Sequence, residues 1–211
     1  MNYEDYRRNY VLGGLRSDML TDTPFALFAQ WQQQAIDADL KDPTAVCLAT
    51  LDITGNLWQR IVLLKTVNQG GFVFFTNYES NKARALALDS RASMLFPWNE
   101  LDRQVTVTGT VEKISEKESD EYFASRPRAS QIGAWASTQS NPIASRGLLE
   151  SNYHKVVERF DNADVPRPPH WGGYRLVASE VEFWQGGEHR LHDRFRYVVD
   201  GDRWQTTRLQ P

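Results

Sequence analysis

The chain has 211 residues, is 41% hydrophobic and 24% charged, and carries a formal net charge of -3. These values predict one soluble globular domain with a sizeable core, and they exclude a protein that holds polyanions by bulk charge. Cys47 is the single cysteine, so no internal disulfide is possible. No stretch reaches membrane-span length, and the polar start lacks an apolar signal core, which together predict a cytoplasmic protein.

Arginine outnumbers lysine 18 to 6. That bias favours the side chain that grips phosphate or carboxylate with a planar fork, and genome base composition can produce it as well. Residues 1–20 are polar and crowd Arg7, Arg8, Asn9 and Tyr10 ahead of Gly13-Gly14, a composition that suits a mobile arm as well as an ordered one. Thr23-Pro24 opens a helix, because proline is tolerated at the first helical position. Phe25, Leu27, Phe28, Trp31, Ala35 and Ile36 recur at helical spacing and carry it to about Leu40, before Asp42-Pro43. Residues 45–52 read as a strand, and Thr54-Gly55-Asn56 as a turn into a second strand over 57–67.

Within that second strand, Arg60, Val62 and Leu64 alternate with Ile61, Leu63 and Lys65. Four apolar residues read as a buried strand with a cation at each end. The cations either close the strand in water or overlook one anion from a rigid scaffold. A turn at 68–71 leads to a strand over 72–76, and residues 77–82 open a helix from Ser80 to about Leu88. Arg60, Lys65, Thr76, Ser80 and Lys82 thus sit at strand and helix ends as a possible phosphate cradle. Residues 92–98 form another strand in which Pro97 marks an edge or a bulge, and 103–114 alternate well. Five strands joined mostly as neighbours predict an antiparallel barrel or sandwich.

Ser115 and Glu118 have capping-box spacing for a helix through Tyr122 and Phe123. Pro127 interrupts it, and a second helical stretch runs over about 128–136. Tyr122, Arg126 and Ser130 are spaced i, i+4 and i+8. They align along one helix face, or else Pro127 opens a new helix beside Arg126 and Ser130. A solvated face is the commoner outcome of such spacing. Gln139-Ser140 lies in the polar loop 137–142, a further helix covers 146–160, and 166–169 is an extended connector. Strands follow over 175–184, 189–199 and 204–209, with turns at Gly186-Gly187 and Asp200-Gly201. Period two puts Arg190, His192 and Arg194 on one face of the 189–199 strand, with Leu191 and Asp193 on the other. Three such groups repel unless an anion or solvent separates them. No metal-ligand spacing, nucleophile elbow, Walker loop or dinucleotide glycine fingerprint occurs, so neither a metal site nor a covalent nucleophile is expected.

Arg60–Lys65, Phe75-Thr76, Gln139-Ser140, Trp184, Arg190–Arg194 and the terminal Arg208–Pro211 follow one another in an order that resembles the pyridoxine/pyridoxamine 5′-phosphate oxidase family. The resemblance runs from Arg7 to Pro211. It implies a mainly β, α+β fold: an FMN-binding split β-barrel of antiparallel Greek-key type over 21–211, with 1–20 as an arm or active-site lid. It implies a homodimer with FMN at the interface, and oxidation of pyridoxamine or pyridoxine 5′-phosphate by O2 to pyridoxal 5′-phosphate and H2O2, with hydride passing from C4′ to flavin N5.

By the same resemblance, Arg60 and Lys82 hold the FMN phosphate. Ile61, Val62, Leu63, Leu64, Lys65, Phe75, Thr76, Asn81, Gln104, Gln139, Ser140, Trp184 and Arg194 complete the flavin site. Lys65, Tyr122, Arg126 and Ser130 grip the substrate phosphate, Arg190, Leu191 and His192 flank the substrate ring, and Arg7, Arg8, Asn9 and Tyr10 close over it. Arg190 and His192 are the residues placed at the chemistry. The family usually carries Arg-Lys where this chain has Asn81-Lys82, so weaker FMN retention is expected. Another FMN split-barrel oxidoreductase, or a non-catalytic FMN or pyridoxal-phosphate carrier, is the rival reading. Nucleic acid and membrane partners are not expected.

Overall fold

A computed structural model describes Tyr10 and residues 14–211; Arg7, Arg8 and Asn9, and with them most of the expected arm, lie outside the described residues. The helices are α1 (Pro24–Asp37), α2 (Asn81–Leu88), α3 (Glu116–Ser125), α4 (Arg128–Ala136) and α5 (Arg146–Arg159). The strands are β1 (Ala45–Leu51), β2 (Leu57–Leu63), β3 (Thr66–Asn68), β4 (Gly71–Asn77), β5 (Arg91–Trp98), β6 (Arg103–Lys113), β7 (Trp171–Gln185), β8 (Asp193–Asp200) and β9 (Arg203–Leu209). Hydrogen bonding orders them β2-β1-β5-β6-β7-β4-β3, with β8 on β7 and β9 on β8. The ladders β3–β4, β4–β7, β7–β8 and β8–β9 are antiparallel. The fold is mainly β with flanking helices, as the alternation predicts.

Two compact units divide the chain: one takes in residues up to Leu48 with Ser93–Gly109 and Ala178–Pro211, the other Ala49–Ala92 with Thr110–Val177. In the first, α1 lays Leu27, Phe28, Trp31 and Ala35 into a buried face. Phe28 meets Phe96 edge-on at 4.9 Å, and Trp31 meets Phe183 at 5.2 Å. Fully burying one such side chain contributes about 1.5–3 kcal/mol. The helix ends at Asp37, short of the expected Leu40, because Asp39 turns left-handed at φ 54° and cannot continue the helical ladder. Leu15 is buried beside β8 and β9. Its N–H donates to Asp193 at 3.0 Å, and Arg208 donates both to its carbonyl at 3.3 Å and to Asp193 at 2.6 Å.

In the second unit, β4 is buried almost throughout and pairs with β7 from Gly71↔Val177 to Asn77↔Trp171. Phe123, Ile132, Phe160, Val165 and Trp171 form a cluster under α3, α4 and α5. The capping box forms as its spacing predicts, Ser115 accepting from the Glu118 N–H while Glu118 accepts from the Ser115 N–H. Arg175 of β7 is 5% exposed and donates to Glu112 at 3.0 Å, to that same Glu118 at 3.1 Å, and to Asn68 at 3.2 Å. Those three partners satisfy a buried cation whose desolvation would otherwise be costly.

Four sequence expectations change. The strand over 57–67 breaks at Leu64-Lys65, where Leu64 drops its side chain into the core, 6% exposed, and the Lys65 N–H bonds the Val73 carbonyl. The apolar run of β2 is not buried either: Ile61 is 61% exposed and Leu63 43%, because β2 ends the strand order with β1 as its one neighbour there. Of the edge or bulge expected at Pro97, the edge is excluded, since β5 lies between β1 and β6. Finally, β8 begins at Asp193, after a 3-10 turn over Glu188–Arg190 in which His189 and Arg190 are left-handed at φ 55° and 65°. Arg190, His192 and Arg194 therefore do not share one strand face.

Candidate active site

The second unit contains a cavity of about 910 Å³ built on the junction of β2, β4, α2, α3 and α4. Arg60, Lys65, Lys82 and Arg126 line it, and no carboxylate does among the described residues. Four cations and no acid in a chain of net charge -3 define a site for anions.

Local sequence places each cation. The exposed strand β2 presents Arg60, whose Nη1 donates to Thr50 at 2.8 Å. The break after β2 frees Lys65 from strand alternation. Asn77 accepts from the Glu79 N–H at 2.7 Å, and Ser80 caps α2 by accepting from the Ala83 N–H. Lys82 thereby sits in the first turn, with Nζ 3.1 Å from Thr76, 3.4 Å from Ser80 and 3.3 Å from Gln139. Thr76 also donates to Gln139 at 3.2 Å. Lys82 thus has neutral oxygens as its acceptors. Burial, and secondly the Arg60 charge, push its pKa down to about 8; both effects disfavour an ammonium that lacks an anion.

Pro127 decides between the two arrangements left open for Tyr122, Arg126 and Ser130. It caps α4, and Arg126 before it is extended at φ -73°, ψ 148°, as a pre-proline residue prefers. The three residues lie on two elements but line the same cavity. Tyr122 stacks on Phe75 with centroids 3.9 Å apart. The Arg126 guanidinium lies 4.6 Å from the Trp171 ring centre. Its Nη1 is buried with no hydrogen-bond partner, and burial lowers its pKa. A buried guanidinium nitrogen left without a partner costs free energy that a bound anion would recover.

The cavity thus gathers Arg60, Ile61, Val62, Leu63, Lys65, Phe75, Thr76, Lys82, Tyr122, Arg126, Ser130 and Gln139 from the expected residues. Asn81 and Ser140 instead line a second cavity of about 550 Å³, which also reaches Arg60 and Lys82. Leu64 is core. Sequence reasoning missed Trp171, which stacks on Phe75 at 5.4 Å and supports Arg126. The available signal was Gly172-Gly173: a Cβ at Gly172 would strike Tyr78 and one at Gly173 would strike Ile114 and Phe75, so the pair is selected for close packing next to the tryptophan.

The first unit holds the remaining residues. Tyr10, Trp184 and His192 form a ring triad, with centroids at 5.6 Å (Tyr10–Trp184), 5.3 Å (Tyr10–His192) and 4.6 Å (Trp184–His192). Arg190 lies 5.4 Å from the Tyr10 ring centre. The left-handed turn that displaced Arg190 from the strand creates this arrangement. His192 Nδ1 accepts from the Gly187 N–H at 3.1 Å, which leaves the proton of the neutral ring on Nε2. Burial, then Arg190 and Arg194, lower its pKa. Arg194 is held by Glu182 through two bonds of 2.9 and 3.1 Å. Gln104 is half-buried on β6, and Leu191 is 70% exposed.

The fold is that of the split-barrel flavoprotein class. PhzG from Burkholderia lata 383, solved with tetrahydrophenazine-1-carboxylic acid, superimposes with a TM-score of 0.88 at 32% identity over 93% of this chain and 98% of that one. An FMN-binding protein of Nostoc punctiforme described as pyridoxamine 5′-phosphate oxidase-related shares the fold, with a TM-score of 0.71 at 13% identity over 91% of this chain and all of that one. Residues 32–160 match the family profile described as pyridoxamine 5′-phosphate oxidase, and residues 171–211 match the pyridoxine 5′-phosphate oxidase C-terminal dimerisation region. The chain is 53% identical to the pyridoxine/pyridoxamine 5′-phosphate oxidase of Yersinia enterocolitica over 98% of this chain and 95% of that protein. It is 51% identical to that of Photobacterium profundum over the full length of both. The chain belongs to the pyridoxine/pyridoxamine 5′-phosphate oxidase family. Among the described residues, no helix is long and apolar enough to cross a membrane.

Proposed function

We propose that the protein is an FMN-dependent oxidase that converts pyridoxamine or pyridoxine 5′-phosphate to pyridoxal 5′-phosphate, as a cytoplasmic homodimer. The observation that carries the reading is the cavity lined by Arg60, Lys65, Lys82 and Arg126 without a carboxylate, in which a buried Arg126 nitrogen awaits an acceptor. Two phosphate esters, one on the cofactor and one on the substrate, match four cations better than one does.

The donor set fits FMN. Arg60 and Lys82 would hold its phosphate, with Thr76, Gln139 and Ser140 adding neutral donors; the 61–64 backbone, Phe75, Asn81, Gln104, Trp184 and Arg194 would complete the site. Bound FMN would supply a two-electron acceptor that takes hydride from substrate C4′ and hands the electrons to O2. Lys65, Tyr122, Arg126 and Ser130 grip the substrate phosphate, far from the reacting carbon, and so fix the orientation of C4′. Arg190 stabilises negative charge on the substrate ring. Neutral His192 presents Nε2–H as a donor while Gly187 fixes its other nitrogen. Leu191 and Tyr10 would shield the ring from water. For the amine, the balance is substrate, O2 and water giving aldehyde, ammonia and H2O2; the alcohol needs no water.

The test is anaerobic. FMN-loaded protein mixed with pyridoxamine 5′-phosphate should lose its flavin absorbance, regain it in air, and yield pyridoxal 5′-phosphate. Unchanged absorbance with tight binding would favour a carrier. Bleaching by a substrate without phosphate, but not by this one, would favour another split-barrel oxidoreductase.

A further inference from the structure

The second cavity adds a cation that neither the fold nor the family resemblance requires. Arg84 lines it together with Arg60 and Lys82. Arg84 stands one turn beyond Asn81 on α2, and its Nη2 donates to the Asn81 Oδ1 at 2.5 Å. That bond tethers an exposed guanidinium at the start of the helix, where Lys82 sits. Arg84 forms no salt bridge among the described residues, and no acid occupies the first turn of α2.

Among the described residues, Asp52 is the one carboxylate lining this cavity. Its oxygens are already taken by its own hairpin: Oδ1 accepts from Thr54 and the Asn56 N–H, and Oδ2 from Asn56 and Trp58. Three cations directed to one concavity, one of them tethered there by an amide, outnumber the single Asp52 carboxylate and repel unless a further anion joins them. A planar fork held at one nitrogen still offers donors at the others.

Resting on the cofactor reading above, we propose that Arg84, aimed by Asn81, is a third cationic ligand of the FMN phosphate beside Arg60 and Lys82. The asparagine that replaces the expected arginine at position 81 thus serves to orient an arginine one turn later. The charge lost at 81 is restored at 84.

The experiment is FMN titration of the cofactor-free chain by quenching of flavin fluorescence, at several salt concentrations. Arg84→Gln should raise the dissociation constant about 5- to 15-fold, the range for a charge-assisted hydrogen bond at a partly solvated site. It should also flatten the salt dependence and leave the unfolding midpoint of the cofactor-free chain unchanged. Asn81→Ala should weaken FMN by a smaller factor, about 2-fold. An unchanged constant in Arg84→Gln, alongside clear weakening in Arg60→Ala, would overturn the assignment of Arg84 and leave the cofactor site standing. Weakening with an unaltered salt slope would also overturn it, because that result marks a purely structural role. If Arg60→Ala too binds FMN like the parent, the cofactor reading fails, and this inference with it.

Discussion

Phe75 and Tyr122 stack with ring centroids 3.9 Å apart and planes 22° from parallel. One ring comes from the buried strand β4 and the other from α3, so a phenol in the anion cavity is held by a side chain that also walls it. Tyr122→Phe keeps the stack and removes only the hydroxyl. The KM for the phosphorylated substrate should rise about tenfold, with kcat and FMN affinity little changed. Steady-state kinetics with FMN in excess would measure this; a fall in kcat at constant KM would contradict a role in phosphate binding.

Arg126 carries a cost to stability that a bound anion would offset. Arg126→Leu keeps apolar contact with Trp171 and deletes a buried nitrogen that has no partner. Replacing such a group by a packed apolar one is neutral or stabilising, so the ligand-free melting midpoint should hold or rise by about 2–4 °C. The same variant should lose at least tenfold in kcat/KM for the phosphate ester, and almost nothing for unphosphorylated pyridoxamine. Calorimetry and kinetics on one protein sample would show both.

Lys82 gives two pH trends of opposite sign. Its pKa is pushed down to about 8 by burial first and by Arg60 second. Between about pH 8 and 10.5 the unfolded chain holds a proton that the folded chain has lost, so stability from this group rises with pH across that window. FMN affinity should fall over the same interval, because the neutral amine no longer attracts phosphate. Binding near pH 8.5 should therefore take up protons, which calorimetry in buffers of different ionisation enthalpy reads directly. Lys82→Met should abolish the uptake.

His192 should titrate below its ordinary value, held neutral by burial and then by Arg190 and Arg194. Protonation as pH falls would turn Nδ1 into a donor facing the Gly187 N–H and break that bond. An acid limb in kcat due to this residue should thus lie below about pH 6.5. His192→Asn, which keeps an acceptor for Gly187, should remove the limb; a limb that persists unchanged belongs to another group.

Arg190→Ala should lower turnover while leaving bound flavin largely intact. Equal turnover would remove Arg190 from the mechanism.

Features set by local chemistry were legible in the sequence. Ser115 and Glu118 meet within one helical turn, and Pro127 acts on the residue before it, so both were readable at short range. The burial of β2 was not, because Ile61 and Leu63 have the same apolar character whether their own chain or another body covers them. The turn before β8 was hidden for a different reason: His189 and Arg190 take left-handed angles without the glycine that usually announces them. Period two was therefore carried across a bend. The pairing of Arg190 with His192 at the chemistry rests on the family resemblance and not on that periodicity. Trp171 was missed because its role depends on Phe75 and Arg126, which are distant in the chain.

Arg175 touches Asn68 at the end of β3, Glu112 near the end of β6, and Glu118 in the cap of α3. Opening any one of these segments alone would strip a partner from a charge that is 5% exposed, at a cost of a few kcal/mol. The three should therefore exchange their amide hydrogens as one cooperative block, at rates close to those of global unfolding. The proposed phosphate grip, with Lys65 beside one arm of that block and Tyr122 on another, would then be assembled before any ligand arrives.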